Sequence, residues 1–250
     1  MPRYFLSLAY DGSAYHGWQI QPNATSVQEE IETALSKLHG NIPIEIVGCG
    51  RTDAGVHAQQ YFLHTDLPLI WEPQQLVFKL NRMTPPAIAF FEAWQTAPDL
   101  HARFDASKRT YRYFIHHQKN PFKNDTSWYQ QSSLDIAAMN DAAKYLLGQQ
   151  DFGSFAKLHT DVKTNICEVF AAQWHVTDNG IYFEITANRF LRNMVRAIVG
   201  TLVEVGLGKI EASTLPDIIA AKDRGEAFIS APAQGLFLWK ITYDKAPELS

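Results

Sequence analysis

An arginine and an aspartate, Arg51 and Asp53, stand two positions apart in a segment framed by glycines. The segment contains Gly48, Gly50 and Gly55, and glycine is typical of sharp turns and of places where another group approaches the backbone closely. In an extended chain, side chains two positions apart lie on the same face. Arg51 could then keep the Asp53 carboxylate ionised and oriented, which suits a catalytic carboxylate and equally a structural ion pair in a turn.

The basic residues of the chain are concentrated in two stretches that carry aromatic side chains as well. The net charge of −4 by itself argues against a nucleic-acid-binding protein, but residues 101–123 and 188–203 are locally basic. Their basic residues include Arg103, Lys108, Arg109 and Arg112 in the first stretch, and Arg189, Arg192 and Arg196 in the second. Cations interleaved with aromatics suit phosphates and stacked bases, although a solvated strand face over core aromatics gives the same pattern.

The composition is that of an ordinary globular protein. A chain of 250 residues is long enough for one large or two modest domains with a buried core. Of these residues 46% are hydrophobic and 19% are charged, as in ordinary globular proteins. The two cysteines, Cys49 and Cys167, have no metal-type spacing and suggest no disulfide framework. The sequence has no apolar signal core and no apolar run of membrane-spanning length, so we expect a cytoplasmic protein without a membrane segment.

The elements that must position Arg51 and Asp53 follow a recognisable order. Residues 4–10, 42–47, 59–65 and 88–94 have the patterns of strands. Ser26 and Glu29 form a capping box before one helix, and Pro73 opens a second helix to about residue 80. The order β-α-β-β-α-β is the ferredoxin-like pattern.

A similar pattern recurs in the second half of the chain. We predict a strand over residues 108–117, a helix over 134–147, a hairpin around Asp178-Asn-Gly180, a short helix near 217–221 and a last strand over 236–243. Residues 190–205 read as a helix, on which Arg189, Arg192 and Arg196 would form a basic stripe. We therefore expect an α+β fold of two ferredoxin-like (βαββαβ) halves, with antiparallel sheets packed around a central basic cleft. The domains would span residues 1–102 and 103–250.

Several motifs resemble the tRNA pseudouridine synthase A family. Residues 50–58, Gly-Arg-Thr-Asp-Ala-Gly-Val-His-Ala, resemble its catalytic motif, and residues 10–19 and 26–29 resemble its opening motif and first helix. Further similar blocks are residues 101–107, 109–113, 190–196, 220–224 and 233–236. The motifs are in the same order and extend over nearly the whole chain.

The resemblance implies an isomerase that converts uridine to pseudouridine at positions 38, 39 and 40, in the anticodon stem-loop of tRNA. It implies no organic cofactor and no catalytic metal, and a homodimer that binds tRNA in basic clefts. Asp53 would be the catalytic residue, supported by Arg51, Arg196 and Tyr111. The residues expected to bind substrate are Tyr111, Arg103, Lys108, Arg109, Arg112, Arg189 and Arg192.

Several alternatives stay open at this point. Asp53 could attack C1′ of the ribose, attack C6 of the base, or remove the 2′ proton. Tyr111 could be the base for the C5 proton or only a stacking surface for the extruded uracil. Asp53, His57, His64 and His101 could instead belong to a metal hydrolase, although their spacing matches no standard ligand motif. The chain could also be a non-catalytic RNA-binding protein, for which a glycine-framed Arg-Thr-Asp has no evident use.

Overall fold

The computed structural model describes residues 1–157 and 163–246, which form two compact units. Unit 1 comprises Met1–Ser107 together with the chain from Leu238 onward, and unit 2 comprises Lys108–Phe237. The sequence predicts one boundary, between residues 102 and 103, whereas the units divide the chain after Ser107 and again after Phe237. As domain limits, residues 1–102 and 103–250 stay a prediction.

Unit 1 is built on a sheet with the strand order β4-β1-β3-β10, in which β1 pairs antiparallel with β3 and β4, and a short β2 pairs antiparallel with β3. The strands are β1 (Arg3–Tyr10), β2 (Val47–Gly48), β3 (His57–Asp66), β4 (Ile88–Thr96) and β10 (Leu236–Thr242), and the helices are α1 (Val27–Leu38) and α2 (Pro73–Met83). The predicted capping residue Ser26 accepts a hydrogen bond from the Glu29 amide, at 3.2 Å from Oγ to N. The tyrosines and leucines of β1 are buried, as expected for an inner strand.

Unit 2 contains a second sheet segment, in the order β5-β9-β8-β7, with antiparallel pairing along its length. Its strands are β5 (Lys108–His116), β6 (Trp128–Tyr129), β7 (Gly148–Asp151), β8 (Ile166–Thr177) and β9 (Gly180–Ala187), and its helices are α3 (Ile136–Ala143), α4 (Met194–Gly206) and α5 (Leu215–Ala221). β6 pairs with β5 in parallel. The predicted turn between β8 and β9 is confirmed, and Gly180 has the positive φ, 139°, that makes glycine suitable there.

The strand predicted over residues 42–47 is wrong for most of its length. Pairing begins only at Val47, although Ile44 and Ile46 are buried as an apolar run should be. Side chains take the backbone groups instead: Glu32 Oε1 accepts from the Ile46 amide at 3.2 Å, and Thr65 Oγ1 donates to the Glu45 carbonyl at 2.8 Å. These bonds satisfy backbone groups that a neighbouring strand would otherwise have paired.

The helix predicted over residues 190–205 begins later, at Met194. Asn193 precedes it in the left-handed conformation, with φ 67°, so the helix cannot extend back through residues 190–192. Arg189 and Arg192 consequently lie before the helix, and the three-arginine helical stripe is wrong; Arg196 alone stands on α4.

The helix predicted over residues 134–147 is also shorter in the structure. Asp135 caps α3 by accepting a bond from the Ala138 amide at 3.0 Å. The helix gives way to a 3₁₀ turn at Lys144–Leu146, and Gly148 follows with a positive φ of 89°.

Two asparagines each hold one strand residue through both of its backbone groups. Asn81 on α2 donates to the Phe90 carbonyl and accepts from the Phe90 amide, both at 2.8 Å, and Phe90 lies on β4. Asn140 on α3 does the same to Trp174 on β8, at 3.3 and 2.8 Å. A side-chain amide can do this because it carries a donor and an acceptor together.

The described chain is therefore an α+β protein with a mostly antiparallel sheet and five α-helices between residues 1–157 and 163–246. Within those same residues, no helix combines the length and the apolar character needed to cross a bilayer.

Candidate active site

Asp53 stands at the start of a tight turn in unit 1. The Val56 amide donates to the Asp53 carbonyl at 3.2 Å, and Gly55 has φ 74°. That angle at the third residue is the one that favours glycine in a type II turn. Asp53 is partly buried and Arg51 is exposed, while Thr52 between them is buried. This alternation agrees with the extended backbone from which the sequence places Arg51 and Asp53 on one side.

The buried Thr52 fixes the backbone that carries Asp53. Its hydroxyl is hydrogen-bonded to the Tyr10 hydroxyl at 2.8 Å, and its carbonyl accepts from the Trp18 amide at 3.3 Å. Both partners are almost entirely buried. Thr52 thereby ties the turn to the end of β1 and to the loop that follows it.

An aromatic pair holds the backbone at Gly50, just before the Asp53 turn. Trp18 stacks on Tyr61 of β3, with ring centroids 4.0 Å apart, and the Tyr61 hydroxyl donates to the Gly50 carbonyl. The sequence points to the loop of residues 11–19 as unusually rich in glycine and aromatics, but it does not assign the support to Tyr61. A tyrosine inside a strand pattern has no feature that distinguishes it from core packing.

Tyr111 lies near the middle of β5 in unit 2, opposite Ile185 of β9. Its ring meets Phe190 edge to face, with centroids 5.1 Å apart, and it is partly buried. Tyr113, two residues on, is wholly buried and donates to the Pro232 carbonyl at 2.8 Å. Burial raises the pKa of the Tyr113 phenol. The positive charge of Arg196 lowers this pKa by less than burial raises it, so Tyr113 stays protonated.

Arg196 is held in place by the first turn of α4 and by the segment that crosses it. Its Nε donates to the Ala231 carbonyl at 2.7 Å, and the Ala231 amide donates back to the Arg196 carbonyl at 2.9 Å. The crossing is close: a Cβ added to Gly200 would lie 1.9 Å from the Ile229 carbonyl oxygen. Arg196 therefore has a defined position despite its long side chain.

The residues predicted to bind phosphates occupy different surroundings. Strand alternation places Lys108 and Arg112 on the face of β5 opposite to Tyr111. Arg112 pairs with Glu184, at 2.6 Å from Nε to Oε2, and lies 4.8 Å from the Tyr182 ring centroid. Lys108 lies 5.0 Å from the centroid of Phe170.

The remaining arginines predicted to bind phosphates fall into two groups, which differ in whether a backbone carbonyl holds the side chain or the side chain is exposed. Arg109 donates to the Asn188 carbonyl at 2.8 Å, and Arg189 donates to the Thr164 carbonyl at 3.2 Å. Arg103, in unit 1, and Arg192, in unit 2, are exposed.

Two histidines that the sequence offers as possible metal ligands serve the backbone instead. His57 is buried and its Nδ1 accepts from the Gly12 amide at 3.1 Å, while His64 Nδ1 accepts from the Ala102 amide at 3.0 Å. Across residues 1–157 and 163–246, no group of three or more His, Cys, Asp or Glu side chains is arranged to hold a metal ion.

The chain matches a known protein family over most of its length. A family model described as tRNA pseudouridine synthase matches residues 7–105 and 142–244. The chain belongs to the tRNA pseudouridine synthase family. The family isomerises uridine to pseudouridine in tRNA, and the chain is therefore an isomerase of this kind.

Named relatives agree with the family over almost their whole length. The chain is 49% identical to tRNA pseudouridine synthase A of Bacteroides thetaiotaomicron, over 97% of this chain and 91% of that protein. It is 48% identical to the enzyme of the same name from Parabacteroides distasonis, over 97% and 96% of the two chains. The corresponding Bacillus subtilis protein is 39% identical over 95% and 98%.

The family match includes Arg51, Asp53 and Arg196 but leaves out residues 106–141. Tyr111 lies in that gap, as do Lys108, Arg109 and Arg112. The full-length relatives extend over nearly all of the chain.

Replacing Gly17 with alanine is expected to lower kcat for pseudouridine formation by roughly 100-fold, the order of loss that follows a shift of about 1 Å at a catalytic group. Gly17 has φ 96°, and an added Cβ would lie 2.5 Å from the Thr52 carbonyl oxygen, so the backbone beside Asp53 has to move. Steady-state kinetics on a tRNA transcript measures the loss.

Gly40→Ala is the matched control for that experiment. Gly40 also has a positive φ, 68°, but no atom lies within 4 Å of the added Cβ, so this variant carries backbone strain without displacing Asp53. Equal kcat values for Gly17→Ala and the wild type would show that the loop does not position Asp53.

Acidification is expected to destabilise the chain through His64. Burial is the main cause that lowers the pKa of His64, to about 4. The positive charges of Arg3 and His101 lower this pKa further, and together they outweigh the nearby Asp66 carboxylate, which raises it. Because the unfolded chain binds the proton near pH 6.5, the free energy of unfolding falls as the pH drops below that value, by about 2 kcal/mol at pH 5. Urea denaturation at several pH values measures the slope.

His64→Asn keeps an acceptor for the Ala102 amide and removes the titrating ring, so the slope between pH 6.5 and 5 is expected to flatten. His16→Asn, at an exposed histidine, is the control. An unchanged slope in His64→Asn would assign the acid sensitivity to other groups.

Proposed function

We propose that this isomerase acts on uridines 38, 39 and 40 of the tRNA anticodon stem-loop, with Asp53 as its essential catalytic residue. The observation that carries the proposal is the Asp53 turn, in which Thr52 and Gly55 are fixed by β1 and the following loop. A carboxylate held on so rigid a support suits a reaction that requires it at one position relative to a sugar carbon. The resemblance of residues 50–58 to the family's catalytic motif supports the same assignment.

The reaction breaks the bond between N1 of uracil and C1′, turns the base and joins C5 to C1′, after which C5 loses its proton and N1 gains one. C1′ becomes electron-poor as its bond to N1 breaks, and a nearby carboxylate can trap or stabilise it, as in glycoside cleavage. Asp53 fits this need by attack at C1′, by attack at C6 of the base or by removal of the 2′ proton. The three routes differ in the atom that the carboxylate must meet.

Arg51, Arg196 and Tyr111 are proposed as the supporting residues. An arginine near a carboxylate favours the ionised form, which is the role proposed for Arg51 and Arg196. Tyr111 is proposed to stack on the uracil once the base has been extruded, and its phenol, if ionised with the help of neighbouring arginines, is one candidate to take the C5 proton. The fixed Nε of Arg196 and the strand position of Tyr111 support these roles by limiting the movement of both side chains.

The phosphates of the tRNA are proposed to bind to Arg103, Lys108, Arg109, Arg112, Arg189 and Arg192. Arg103, Lys108 and Arg192 are exposed, which suits such contacts, whereas Arg112 would have to share its charge between a phosphate and Glu184. This part of the proposal rests on charge and exposure.

Three further features belong to the same proposal. We propose a cytoplasmic homodimer, two ferredoxin-like halves with basic residues contributed by both, and a reaction without organic cofactor or catalytic metal. The element order of unit 1, β1-α1-β2-β3-α2-β4, supports the ferredoxin-like description of that half.

The proposal is tested with tRNA transcripts that carry tritium at C5 of a single uridine, at position 38, 39 or 40. In the presence of a strong chelator we expect tritium release from each transcript, with pseudouridine located at the labelled position. A transcript labelled elsewhere in the anticodon stem is the control. Release from that control alone would place the substrate uridine elsewhere, and loss of release on chelation would indicate a required metal.

A further inference from the structure

The loop of residues 101–105 in unit 1 is fixed through every one of its backbone amides. The His101 amide donates to Asp105 Oδ2 at 2.8 Å, and the Asp105 amide donates back to the His101 carbonyl at 3.1 Å. The Ala102 amide donates to His64 Nδ1 at 3.0 Å. The Arg103 and Phe104 amides both donate to His101 Nδ1, at 3.1 and 3.2 Å. From the C-terminal segment, the buried Tyr243 hydroxyl donates to the Ala102 carbonyl at 2.6 Å. The loop is therefore a preformed structure on the surface.

This rigid loop exposes a large aromatic side chain. Phe104 is 76% exposed, although a phenylalanine normally gains stability by burial. Its ring stacks on His101, with centroids 4.2 Å apart and planes at 30°, and His101 in turn meets the buried His64. Phe104 is thus the outermost ring of three, held at a defined angle and available to a further flat group.

The charge around Phe104 favours a nucleic acid. Arg103 is exposed, and its guanidinium carbon lies 5.9 Å from the Phe104 ring centroid. The nearest carboxylate in the loop, Asp105, is paired with Lys245 at 3.0 Å as well as with the His101 amide. The loop therefore presents a ring and a cation together, while its single acid is neutralised.

We propose that Phe104 is a stacking platform for an unpaired base of the tRNA substrate, with Arg103 contacting the phosphate beside that base. The proposal rests on the tRNA substrate and adds a binding element distinct from the reacting uridine. A ring on a preformed loop loses little conformational freedom on binding, which strengthens the contact. Stacking of one base on an aromatic side chain changes the dissociation constant by roughly 5- to 150-fold.

The test compares Phe104→Ala, Phe104→Trp and Arg103→Ala with the wild type in equilibrium binding to an unmodified tRNA transcript. We expect the Kd to rise roughly 10-fold or more for Phe104→Ala and to stay near the wild-type value for Phe104→Trp. The salt dependence of binding should keep its slope in Phe104→Ala and lose about one unit in Arg103→Ala, because only the arginine displaces counterions. Phe91→Ala, at a 55% exposed phenylalanine beside Glu92, is the matched control and should bind normally.

Two further measurements separate the possible causes. Ultraviolet cross-linking of the wild type to tRNA, followed by mass spectrometry, should place a cross-link on Phe104. Sedimentation of Phe104→Ala should show the oligomeric state of the wild type, and urea denaturation should show its stability. A changed oligomeric state would assign Phe104 to a protein interface, and a changed stability would assign it to packing within unit 1. An unchanged Kd, or a cross-link map without Phe104, would overturn the proposal even where the wild type converts uridine normally.

Discussion

Replacing Asp53 with alanine is expected to reduce pseudouridine formation by roughly 10,000-fold or more, the scale of loss seen when an essential catalytic group is removed. No other carboxylate is proposed for the reacting sugar or base, so alanine leaves the reaction without the group that meets the electron-poor carbon. The affinity for tRNA should hold or rise slightly, because a negative charge near the phosphates is lost. Single-turnover kinetics and equilibrium binding measure the two quantities separately.

Asp53→Asn and Asp99→Asn sharpen this experiment. Asp53→Asn preserves the shape of the side chain and should be as inactive as Asp53→Ala, whereas Asp99→Asn removes an equal charge from an exposed position of unit 1 and should retain full activity. Turnover by Asp53→Ala at a tenth of the wild-type rate would mean that another residue performs the chemistry. A parallel loss of tRNA binding would point to misfolding.

Replacing Tyr111 with phenylalanine is expected to lower kcat by roughly 100- to 10,000-fold while leaving the Kd for tRNA unchanged, as for the loss of a general base. Phenylalanine keeps the ring that stacks on uracil and the edge-to-face contact with Phe190, and removes only the hydroxyl. Tyr111→Ala should lose the stacking contact in addition, so its KM should rise as well. Single-turnover rates and KM values on the tRNA transcript measure both effects.

Tyr145→Phe is the control, because Tyr145 is an exposed tyrosine of unit 2 outside the proposed site. A normal kcat in Tyr111→Phe, together with a poor kcat in Tyr111→Ala, would reduce the role of Tyr111 to stacking. In that event a different group must take the C5 proton.

The local elements were predictable where the sequence carries its own signal. The Ser26 cap, the Asp-Asn-Gly hairpin and strand β1 all lie close to their predicted positions. The errors occur where partners distant in sequence decide the outcome. Glu32 and Thr65 take the backbone groups of residues 45 and 46. Asn193, whose side chain donates to the Ser230 hydroxyl at 2.7 Å, adopts the left-handed conformation and delays the start of α4. Neither could be inferred from periodicity.

The sequence predicted which side chains of the candidate site could do chemistry, but not the contacts that hold those side chains in place. The glycine-framed Arg51 and Asp53 stand out by residue type and spacing, and residues 11–19 stand out by composition. The contacts of Thr52 with Tyr10 and Trp18 depend on how β1 and the loop of residues 11–19 fold against the Asp53 turn, so no local sequence pattern predicts them. The same holds for residues 101–105, where the basic stretch was visible but the rings of His101 and His64 beneath it were not.

The two asparagine clamps bear on whether the open edges of the sheet can pair with a strand of another molecule. β4 lies at one end of its sheet, and β8 extends past the four residues with which β7 pairs, so both strands present backbone groups that could recruit a strand from another molecule. Asn81 and Asn140 occupy one such donor–acceptor pair on each strand, at Phe90 and Trp174. An incoming strand would have to displace the amide at that point, which protects these edges against edge-to-edge aggregation.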